Sequence, residues 1–221
     1  MKADLHIHTC YSMDCATSPE QIVARCLKTG INCIAITDHG TTAGALRLKE
    51  IAPFPVIIGE EILTPFGEIM GLFLSKEITS KISPEEAVSQ IKSQNGLVCI
   101  PHPFDRLRPS ALKNHILEEL LPQVDIIEAF NSRSLSPNSN SRAWQLAQKY
   151  GLAASAGSDA HTVSEIGNAY VEMPEFNNKD EFLQSLTQGK IFGHRTNPLV
   201  HVASTWSRLR KSNILGGKVT C

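Results

Sequence analysis

The sequence predicts an α/β fold in a single domain, and it favours a closed (β/α) barrel over an open sheet. Short, nearly continuous apolar runs alternate with amphipathic helical segments, which is typical of strands buried on both faces of a mainly parallel sheet. About six or seven such strand–helix units fit into one barrel domain. A chain of 221 residues, 42% of them hydrophobic, can build one sizeable core but is short for two domains. We therefore expect one domain over residues 1–221.

Local signals along the chain predict the individual elements. Ser18-Pro19-Glu20 is typical of a helix start, and Gly30 is typical of a helix end. Trp206, in the last predicted helix, is expected to pack, and this C-terminal part is expected to complete the barrel. Strands are predicted at residues 4–8, 32–38, 56–59, 68–74, 97–100, 124–128 and 153–156, and helices at residues 18–29, 42–51, 83–95, 139–150, 177–188 and 198–210.

Two polar segments, residues 106–114 and 131–138, contain proline and serine and come after predicted strands. We expect both to form long loops. In a barrel, such loops lie at the rim formed by the C-terminal ends of the strands, where barrel enzymes place their active sites.

The composition argues against several classes of partner. A formal net charge of −1 provides no basic excess for binding nucleic acid generally. The N-terminus lacks the apolar stretch of a signal peptide, and no apolar run approaches the roughly 20 residues that span a bilayer. We therefore expect a soluble, cytoplasmic protein without a membrane partner.

The six cysteines include no CxxC pair, and reduced thiols are expected because the chain is neither small nor typical of secreted proteins. Cys26 and Cys33 lie in apolar segments and are interpreted as core residues. Cys10 and Cys15 lie close to the site residues described next. They are weaker candidates for metal ligands, because thiolates are more typical of tetrahedral zinc sites that they dominate.

The first predicted strand carries a pair of histidines. His6 and His8 are two residues apart, and alternate side chains of a strand point to the same face. Two imidazoles can therefore meet one metal ion. The pair alone is a weak signal, since histidines in strands are common.

Polar groups also end the second and third predicted strands. His39 follows Asp38 at the end of an apolar run, although Asp38 could instead cap the next helix. Glu60 and Glu61 project to opposite faces, so we expect only one of them to face the barrel interior. A carboxylate can bridge two cations, as binuclear hydrolases require, but a solvated acidic pair is the alternative.

Three further groups extend the pattern. Glu68 lies among apolar residues, where an isolated charge would be costly without a partner such as a metal ion. His102 stands between two prolines that stiffen the backbone, although a structural turn would also explain them. Asp159 and His161 follow a short apolar strand and again lie two residues apart.

Five of the eight histidines stand at or just beyond predicted strand ends, beside carboxylates or other histidines. In a barrel these ends converge on one rim, so we expect a metal site there. An imidazole and carboxylate set suits Zn, Mn or Fe. With roughly four to six ligands per ion, about nine protein ligands fit two or three ions and exceed the needs of one.

The ordered motifs resemble those of the PHP (polymerase and histidinol phosphatase) family, in its small stand-alone members. They run from residue 4 to about residue 165 as His6-x-His8, Tyr11-Ser12-Met13-Asp14, Thr37-Asp38-His39-Gly40, Gly59-Glu60-Glu61, Pro101-His102-Pro103 and Ser158-Asp159-Ala160-His161. The resemblance implies a distorted (β/α)7 barrel with a centre of two or three metal ions on its C-terminal rim. It assigns as ligands His6, His8, Asp14, His39, Glu61, His102, Asp159 and His161.

Two of these positions differ from the usual family pattern. Asp14 stands where many members have histidine, and Glu68 occupies a place that is often a histidine ligand. We include Glu68 among the expected ligands. The change from imidazole to carboxylate at Glu68 could alter which metal fills that position.

The resemblance further implies hydrolysis of a phosphate ester by a metal-activated hydroxide at a di- or trinuclear centre. Metal ions lower the pKa of bound water towards about 7. His39, Asp159 and His161 are expected to take part in catalysis. Arginine binds phosphate through paired hydrogen bonds, so we expect substrate contacts from Arg106, Arg133 and Arg195, with His194 beside them, although ordinary surface positions are the alternative.

Three functions remain open at this point. The favoured one is hydrolysis of a small-molecule or nucleotide phosphate ester. A nuclease of the 3′–5′ exonuclease type is the second, and the near-neutral charge counts against it. A non-catalytic metal-binding module is the third. The sequence does not predict the natural substrate or the oligomeric state.

Overall fold

The computed structural model describes residues 1–105, 107–136, 138–197, 199–213 and 221, with only the backbone of 201–203 and 212–213. Its strands are β1 (Lys2–Ile7), β2 (Cys33–Ile36), β3 (Val56–Thr64), β4 (Gly67–Leu72), β5 (Leu97–Ile100), β6 (Ile126–Asn131), β7 (Ala153–Gly157), β8 (Ala169–Glu172) and β9 (Lys190–Gly193). Its α-helices are α1 (Pro19–Thr29), α2 (Ala43–Ile51), α3 (Pro84–Ser93), α4 (Asn114–Leu120), α5 (Ser139–Tyr150), α6 (Lys179–Thr187) and α7 (Val200–Asn213).

The strands form one sheet that curls into a nearly closed barrel. Their order is β7-β6-β5-β4-β3-β2-β1-β8-β9. An isolated parallel bridge between Ile7 and Ala160 links the end of β1 to the chain after β7. The Asp159 N–H donates to the His6 carbonyl at 2.8 Å, and the His8 N–H donates to the Ala160 carbonyl at 3.0 Å. The predicted mixed α/β barrel is therefore confirmed, and its closure brings the two histidine-bearing segments together.

The sheet is less parallel than the apolar runs suggested. The ladders β1–β2–β3 and β5–β6–β7 are parallel, but β4 runs antiparallel to both β3 and β5, and β8–β9 form an antiparallel pair beside β1. The third strand does not end at Gly59 as predicted, because it continues to Thr64 and turns back into β4. Gly67 makes this hairpin turn possible, with a φ of 128° that is rare for residues with a side chain.

Helix ends agree well with the capping signals. Ser18 caps α1 through the Gln21 N–H, and the left-handed Gly30 ends it at φ 75°. Helix α5 has its predicted bounds. Strands β8 and β9 and helix α4 were not predicted; α4 begins at the last residue of the polar segment 106–114.

Apolar side chains of the sheet and its covering helices form the core, and Cys26 and Cys33 are buried in it as expected. Trp206 corrects an expectation, since 60% of its surface is exposed on α7. The expectation of reduced thiols is also wrong for one pair, because Cys10 and Cys221 form a disulfide. Long-range pairing of this kind leaves no local pattern in the sequence. Within the described ranges, no helix is long and apolar enough to cross a bilayer.

Gly157 allows the close approach of β7 to β1, and its replacement by alanine is expected to destabilise the barrel. A Cβ at this position would lie 2.3 Å from the His6 Cβ and 2.8 Å from the His6 backbone nitrogen. Backbone must move to relieve such contacts, so we expect a loss of about 1–3 kcal/mol in the free energy of unfolding. Denaturant unfolding monitored by circular dichroism measures it.

Gly151→Ala is the matched control. Gly151 is left-handed at φ 64° with open space around it, so alanine there meets a backbone penalty without a clash. Both variants should lose stability, but only Gly157→Ala should also lower metal binding, because it displaces His6. Equal metal binding by the two variants would contradict this account.

Candidate metal centre

The first group of predicted ligands lies at the end of β1. His6 and His8 are buried, and their Nε2 atoms lie 3.1 Å apart. The Glu61 Oε2 atom is 3.4 and 3.3 Å from these two nitrogens, and the Asp159 Oδ1 atom is 3.7 and 3.5 Å from them. Zn–N bonds of about 2.0–2.1 Å place tetrahedral ligand atoms about 3.3 Å apart. Ligand atoms of His6, His8 and Glu61 all lie within 4.8 Å of one another, which fits one enclosed divalent ion, and the Asp159 oxygen lies beside the two histidines.

A second group lies on the open side of the first. The Asp14 Oδ2 atom is 3.4 Å from His39 Nε2 and 3.2 Å from His161 Nε2. Ligand atoms of these residues and of His8 all lie within 4.8 Å of one another. Asp38 does not join them, because its carboxylate accepts hydrogen bonds from the backbone and hydroxyl of Thr9.

A third group, His102 and His39, lies around the carboxylates of Glu61 and Glu68. His102 Nε2 lies 3.0 Å from Glu61 Oε1 and 3.6 Å from Glu68 Oε2. His39 Nδ1 lies 3.5 Å from Glu61 Oε2 and 3.8 Å from Glu68 Oε1. Glu61 thus contacts side chains of all three groups, which makes the predicted ligands one continuous cluster.

Glu60 faces away from this cluster, as the alternation of a strand requires. Its carboxylate is buried and accepts a hydrogen bond of 2.8 Å from the Ile78 N–H. Burial raises the pKa of Glu60 to about 7. The adjacent acids therefore have separate environments, and only Glu61 meets the histidines.

Two carboxylate oxygens provide a test of fit to metal ions. Glu68 Oε2 and Asp159 Oδ1 are buried and have no hydrogen-bond partner within the described ranges. Desolvated polar atoms without a partner are costly, and both oxygens point into the cluster. Carboxylate oxygens and imidazole nitrogens are ordinary ligands of divalent cations. The donor set fits such ions.

The backbone supports the cluster with unusual conformations. His102, between its prolines, has φ 32°, and Asp159 has φ 53°. Non-glycine residues with such angles are uncommon and often mark functional sites, at a cost of order 1–3 kcal/mol each. Both residues are predicted ligands, so the fold holds their side chains in directions that regular strands would not provide.

The electrostatics of the imidazoles reflect the surrounding acids. Burial by itself would lower the pKa of His6, yet the nearby carboxylates, led by Glu128, hold it well above its ordinary value. Burial also works against charge on His39, but Glu61 and other acids raise its pKa to about 10. For His161, burial and a neighbouring imidazole lower the pKa to about 4.

The carboxylates differ among themselves. Burial would raise the pKa of Glu61, but the imidazoles around it, beginning with His6, lower it well below its ordinary value. Burial would also raise the pKa of Asp159, but nearby positive groups, beginning with Arg108, lower it well below its ordinary value. Burial and the charge of Glu61 instead raise the pKa of Glu68. Glu61 and Asp159 are therefore buried acids that stay ionised, and such charges require cationic partners.

Glu128 is a residue that the sequence analysis overlooked. Its Oε1 atom lies 2.9 Å from His6 Nδ1, and its Oε2 atom accepts from the His102 N–H at 2.8 Å and from the Asn131 amide at 3.0 Å. A carboxylate behind a ligating histidine fixes the ring and its tautomer. The available signal was its position at the end of the predicted strand 124–128, the same pattern used for the other acids.

Arg108 is a second overlooked residue. Its Nη2 atom lies 2.6 Å from Asp159 Oδ2, and its side chain lines the cavity over the cluster. Burial alone would lower the pKa of Arg108, but Asp159, Glu68 and Glu61 raise it, so the guanidinium stays charged. Arg108 lies in an irregular loop, and a loop has no periodicity from which the direction of a side chain can be predicted. Arg106, the residue chosen from the sequence, lies outside the described residues.

The other predicted substrate contacts have different positions. Arg133 is buried and lines the cavity, while its Nη2 donates to the Ser204 hydroxyl at 2.9 Å and its Nη1 donates to the Asp159 carbonyl at 3.3 Å. His194 and Arg195 are exposed and do not belong to the described lining of this cavity. The structure therefore brings only Arg133 of these three to the cluster.

Neither cysteine beside the site points at the cluster. The buried Cys15 thiol donates to the carbonyls of His8 at 3.3 Å and His161 at 3.2 Å, and burial raises its pKa to about 12. Cys10 is held in the disulfide with Cys221.

A cavity of about 970 Å³ opens from the cluster to solvent. Part of its lining comes from α7, through Ser204, Thr205 and Arg208, and part comes from residues 77–81 and 107–110. The cavity lies at the upper end of the sizes typical of small-molecule sites. A substrate larger than phosphate itself can therefore reach the cluster.

Replacing Glu128 by glutamine is expected to weaken metal binding while the fold is kept. The amide removes the charge that holds the His6 ring, and loss of such a partner typically costs about 10- to 100-fold in metal affinity. Competition for Zn²⁺ against a chromophoric chelator measures the change. Asp125→Asn is the matched control, because Asp125 directly precedes β6 and accepts from the Val98 N–H away from the cluster. Equal Zn²⁺ affinities of the two variants would show that Glu128 does not support metal binding through His6.

Comparison with known proteins agrees with this geometry. The family model described as the PHP domain matches residues 4–67, and the model described as PHP-associated matches residues 137–191. An uncharacterized protein of Methanocaldococcus jannaschii is 40% identical over 80% of this chain and 72% of its own length. A second uncharacterized protein of that organism is 38% identical over 62% of this chain and 88% of its own length.

Among solved structures, a two-domain protein of Bacteroides vulgatus containing a predicted PHP-like metal-dependent phosphoesterase superimposes with a TM-score of 0.72. The two are 20% identical, and the match covers 88% of this chain but 65% of that one, so the likeness concerns the fold alone. The family matches and the 40% identity to a relative of similar extent carry the assignment. The chain belongs to the PHP family.

Proposed function

We propose that this protein is a metal-dependent phosphoesterase that hydrolyses a small-molecule or nucleotide phosphate ester. One observation supports this most directly. The two unpartnered carboxylate oxygens, on Glu68 and Asp159, point into an imidazole cluster with the Arg108 guanidinium at its edge. Cations at the acids and an arginine beside them form a natural receptor for a phosphoryl group.

The proposed ligands are those named from the sequence, arranged in the three groups described above. His6, His8, Glu61 and Asp159 would hold one ion. Glu61, Glu68 and His102 would hold a second, and Asp14, His39 and His161 would hold a third. Zn, Mn and Fe all suit this donor set. Bound ions would acidify water and neutralise charge on the phosphoryl oxygens.

The chain's own residues have separate tasks in this proposal. Arg108 would turn its paired N–H groups from Asp159 to the phosphoryl oxygens, and Arg133 would contribute a second positive charge at the cavity wall. His39 and His161 lie on the open side of the cluster, where they would stabilise the leaving oxygen. Asp159 would serve as a ligand, and it would position Arg108 at the cluster before the substrate binds.

The size and lining of the cavity support an organic phosphate ester as substrate. A volume of about 970 Å³ accommodates a sugar phosphate or a nucleotide. Apolar side chains of Leu63, Leu107 and Leu135 share the lining with Arg108, Arg133 and Arg208. Such a mixture suits a ligand with both an anionic and an uncharged part.

Turnover by metal-stripped protein tests the proposal. Hydrolysis of p-nitrophenyl phosphate and bis-p-nitrophenyl phosphate is measured before and after addition of Mn²⁺, Zn²⁺ or Fe²⁺, with His39→Ala in parallel. We expect metal to restore turnover in the unchanged protein and not in the variant. Failure to bind any metal would overturn the proposal. Binding of two or more ions without turnover of either ester, or of a panel of nucleotides and sugar phosphates, would favour the non-catalytic alternative.

A further inference from the structure

Helix α7 contributes to the cavity from a part of the chain outside both family matches, which cover residues 4–67 and 137–191. Ser204, Thr205 and Arg208 of this helix line the cavity. Residues three and four positions apart share one face of an α-helix, so these three side chains form one polar face. The helix therefore adds polar groups of its own, including a guanidinium, to a site whose predicted metal ligands come from the barrel.

Buried apolar packing does not explain why α7 stays in this position. Among its side chains described at residues 204–211, none is buried. Trp206 and Leu209, its large apolar side chains in this range, are 60% and 53% exposed. Helices in proteins gain most of their stability from an apolar face packed on the rest of the fold. Other contacts must therefore hold α7 beside the cavity.

One contact holds the helix near its start. The Ser204 hydroxyl accepts a hydrogen bond from Arg133 Nη2 at 2.9 Å, and Arg133 Nη1 donates to the Asp159 carbonyl at 3.3 Å. Arg133 is buried, so its side chain has little freedom to move. This arginine thus joins the start of α7 to the backbone of a predicted metal ligand.

Contacts near the end of α7 lead to the loop that carries Asp14. Lys211 Nζ donates to the carbonyls of Cys10 and Ser12 at 2.6 and 2.7 Å. Cys10 is also bonded to Cys221, beyond the helix. The Ser12 hydroxyl donates to Asp14 Oδ1 at 2.8 Å, so this loop is itself ordered around the predicted ligand. The helix therefore passes along the cluster, and Arg208 lies between its two points of attachment.

The disulfide is the attachment that a chemical signal can remove. Cys221 is exposed, so a dithiol reductant can approach the bond. A thiolate of the reductant attacks one sulfur and forms a mixed disulfide, which its second thiol resolves. The S–S bond between Cys10 and Cys221 breaks, two electrons and two protons pass to these cysteines as thiols, and the reductant becomes a disulfide. Hydrogen bonds of a partly exposed lysine then hold this end of the helix, and water competes for them.

We propose that α7 is a substrate-binding helix in which Arg208 binds the phosphoryl group, and that the Cys10–Cys221 disulfide keeps Arg208 in reach of it. A guanidinium suits this task because its planar donors match phosphate oxygens. Reduction of the disulfide weakens substrate binding and leaves the metal ligands of the barrel in place. The inference rests on the proposed function, since it names a further residue that binds the same substrate.

Reduction of metal-free, full-length protein tests the role of the disulfide. Thiol titration after unfolding should count four thiols in the oxidised protein and six after reduction. Hydrogen exchange at the amides of residues 204–211 should become faster after reduction, while exchange in β1 stays the same. Cys221→Ser without reductant should match the reduced protein. Six thiols before reduction, or equal exchange of α7 in both states, overturns the inference.

Kinetics of the metal-loaded protein test the role of Arg208. In the reduced protein, freed of reductant, and in Cys221→Ser, the KM for p-nitrophenyl phosphate should rise by about tenfold, as for the loss of one charge-assisted hydrogen bond. The kcat and the metal content should stay the same. Arg208→Ala should give the same rise in KM, and adding Cys221→Ser to it should give no further rise, because both changes remove one contact. Arg210→Ala is the matched control, since the Arg210 guanidinium lies over the Trp206 ring, outside the described lining.

Failure of this inference and failure of the proposed function give different results. An unchanged KM in Arg208→Ala or in Cys221→Ser, or additive effects in the double variant, overturns the inference while turnover persists. Loss of metal from Cys221→Ser would show that the disulfide supports the Asp14 loop and would overturn it as well. If the unchanged, metal-loaded protein hydrolyses no ester, the proposed function fails, and the role of Arg208 fails with it.

Discussion

Replacing Glu61 by alanine is expected to abolish hydrolysis and to remove at least one bound metal ion. Glu61 is the acid common to the cluster: its Oε1 atom lies 3.0 Å from His102, and its Oε2 atom lies 3.4 Å from His6, 3.3 Å from His8 and 3.5 Å from His39. A carboxylate shared between two metal ions fixes the distance between them and neutralises part of their charge. Metal ions provide several kcal/mol of transition-state stabilisation, so we expect kcat to fall by about 1,000-fold or more.

Metal content and kcat are measured together in this experiment, because a fall in both separates Glu61 from a residue that only contacts substrate. Glu60→Ala and Glu60→Gln are the controls, since Glu60 is the neighbouring buried acid and faces the Ile78 N–H. Circular dichroism checks that each variant is folded. A Glu61→Ala protein with the metal content and turnover of the unchanged protein would show that the three groups do not depend on a shared acid.

The alternation of side chains along strands predicted much of the cluster. His6 and His8 share a face because they are two residues apart, and the same rule required that only one of Glu60 and Glu61 face the histidines. The structure has Glu61 in the cluster and Glu60 turned away. These residues could be predicted because their direction is a local property of the strand.

Residues that depend on loops and on long-range pairing were harder to predict. Arg108 reaches Asp159 from an irregular loop, where no periodicity sets the direction of a side chain. The antiparallel course of β4 depends on the turn at Gly67. An apolar run does not by itself indicate whether its strand is parallel or antiparallel to the neighbouring strands. The Cys10–Cys221 disulfide joins residues 211 positions apart, which no neighbouring sequence indicates. Glu128 ends the predicted strand 124–128, so the position at a strand end that identified the other acids could have identified it as well.

Replacing Arg108 by alanine is expected to lower kcat/KM by about 100- to 1,000-fold, the range found when one preorganised donor to a transition-state charge is lost. In the structure the guanidinium is held 2.6 Å from Asp159 Oδ2. A cation at Asp159 Oδ1 would withdraw charge from the same carboxylate and weaken its ion pair with Arg108 through Oδ2, so the guanidinium becomes available to a phosphoryl group beside it. Steady-state kinetics measure the loss, and the inhibition constant of inorganic phosphate should rise in parallel.

The variant series for Arg108 separates charge from geometry. Arg108→Lys keeps the positive charge but loses the planar pair of donors, so its kcat/KM should lie between those of the unchanged protein and Arg108→Ala. Arg47→Ala is the control, because Arg47 forms its ion pairs with Glu20 and Glu50 on the surface. Metal content should stay unchanged throughout the series, in contrast to the Glu61 variant. If Arg108→Ala loses metal in proportion to activity, Arg108 acts by holding Asp159 in place, and its proposed contact with the substrate is wrong.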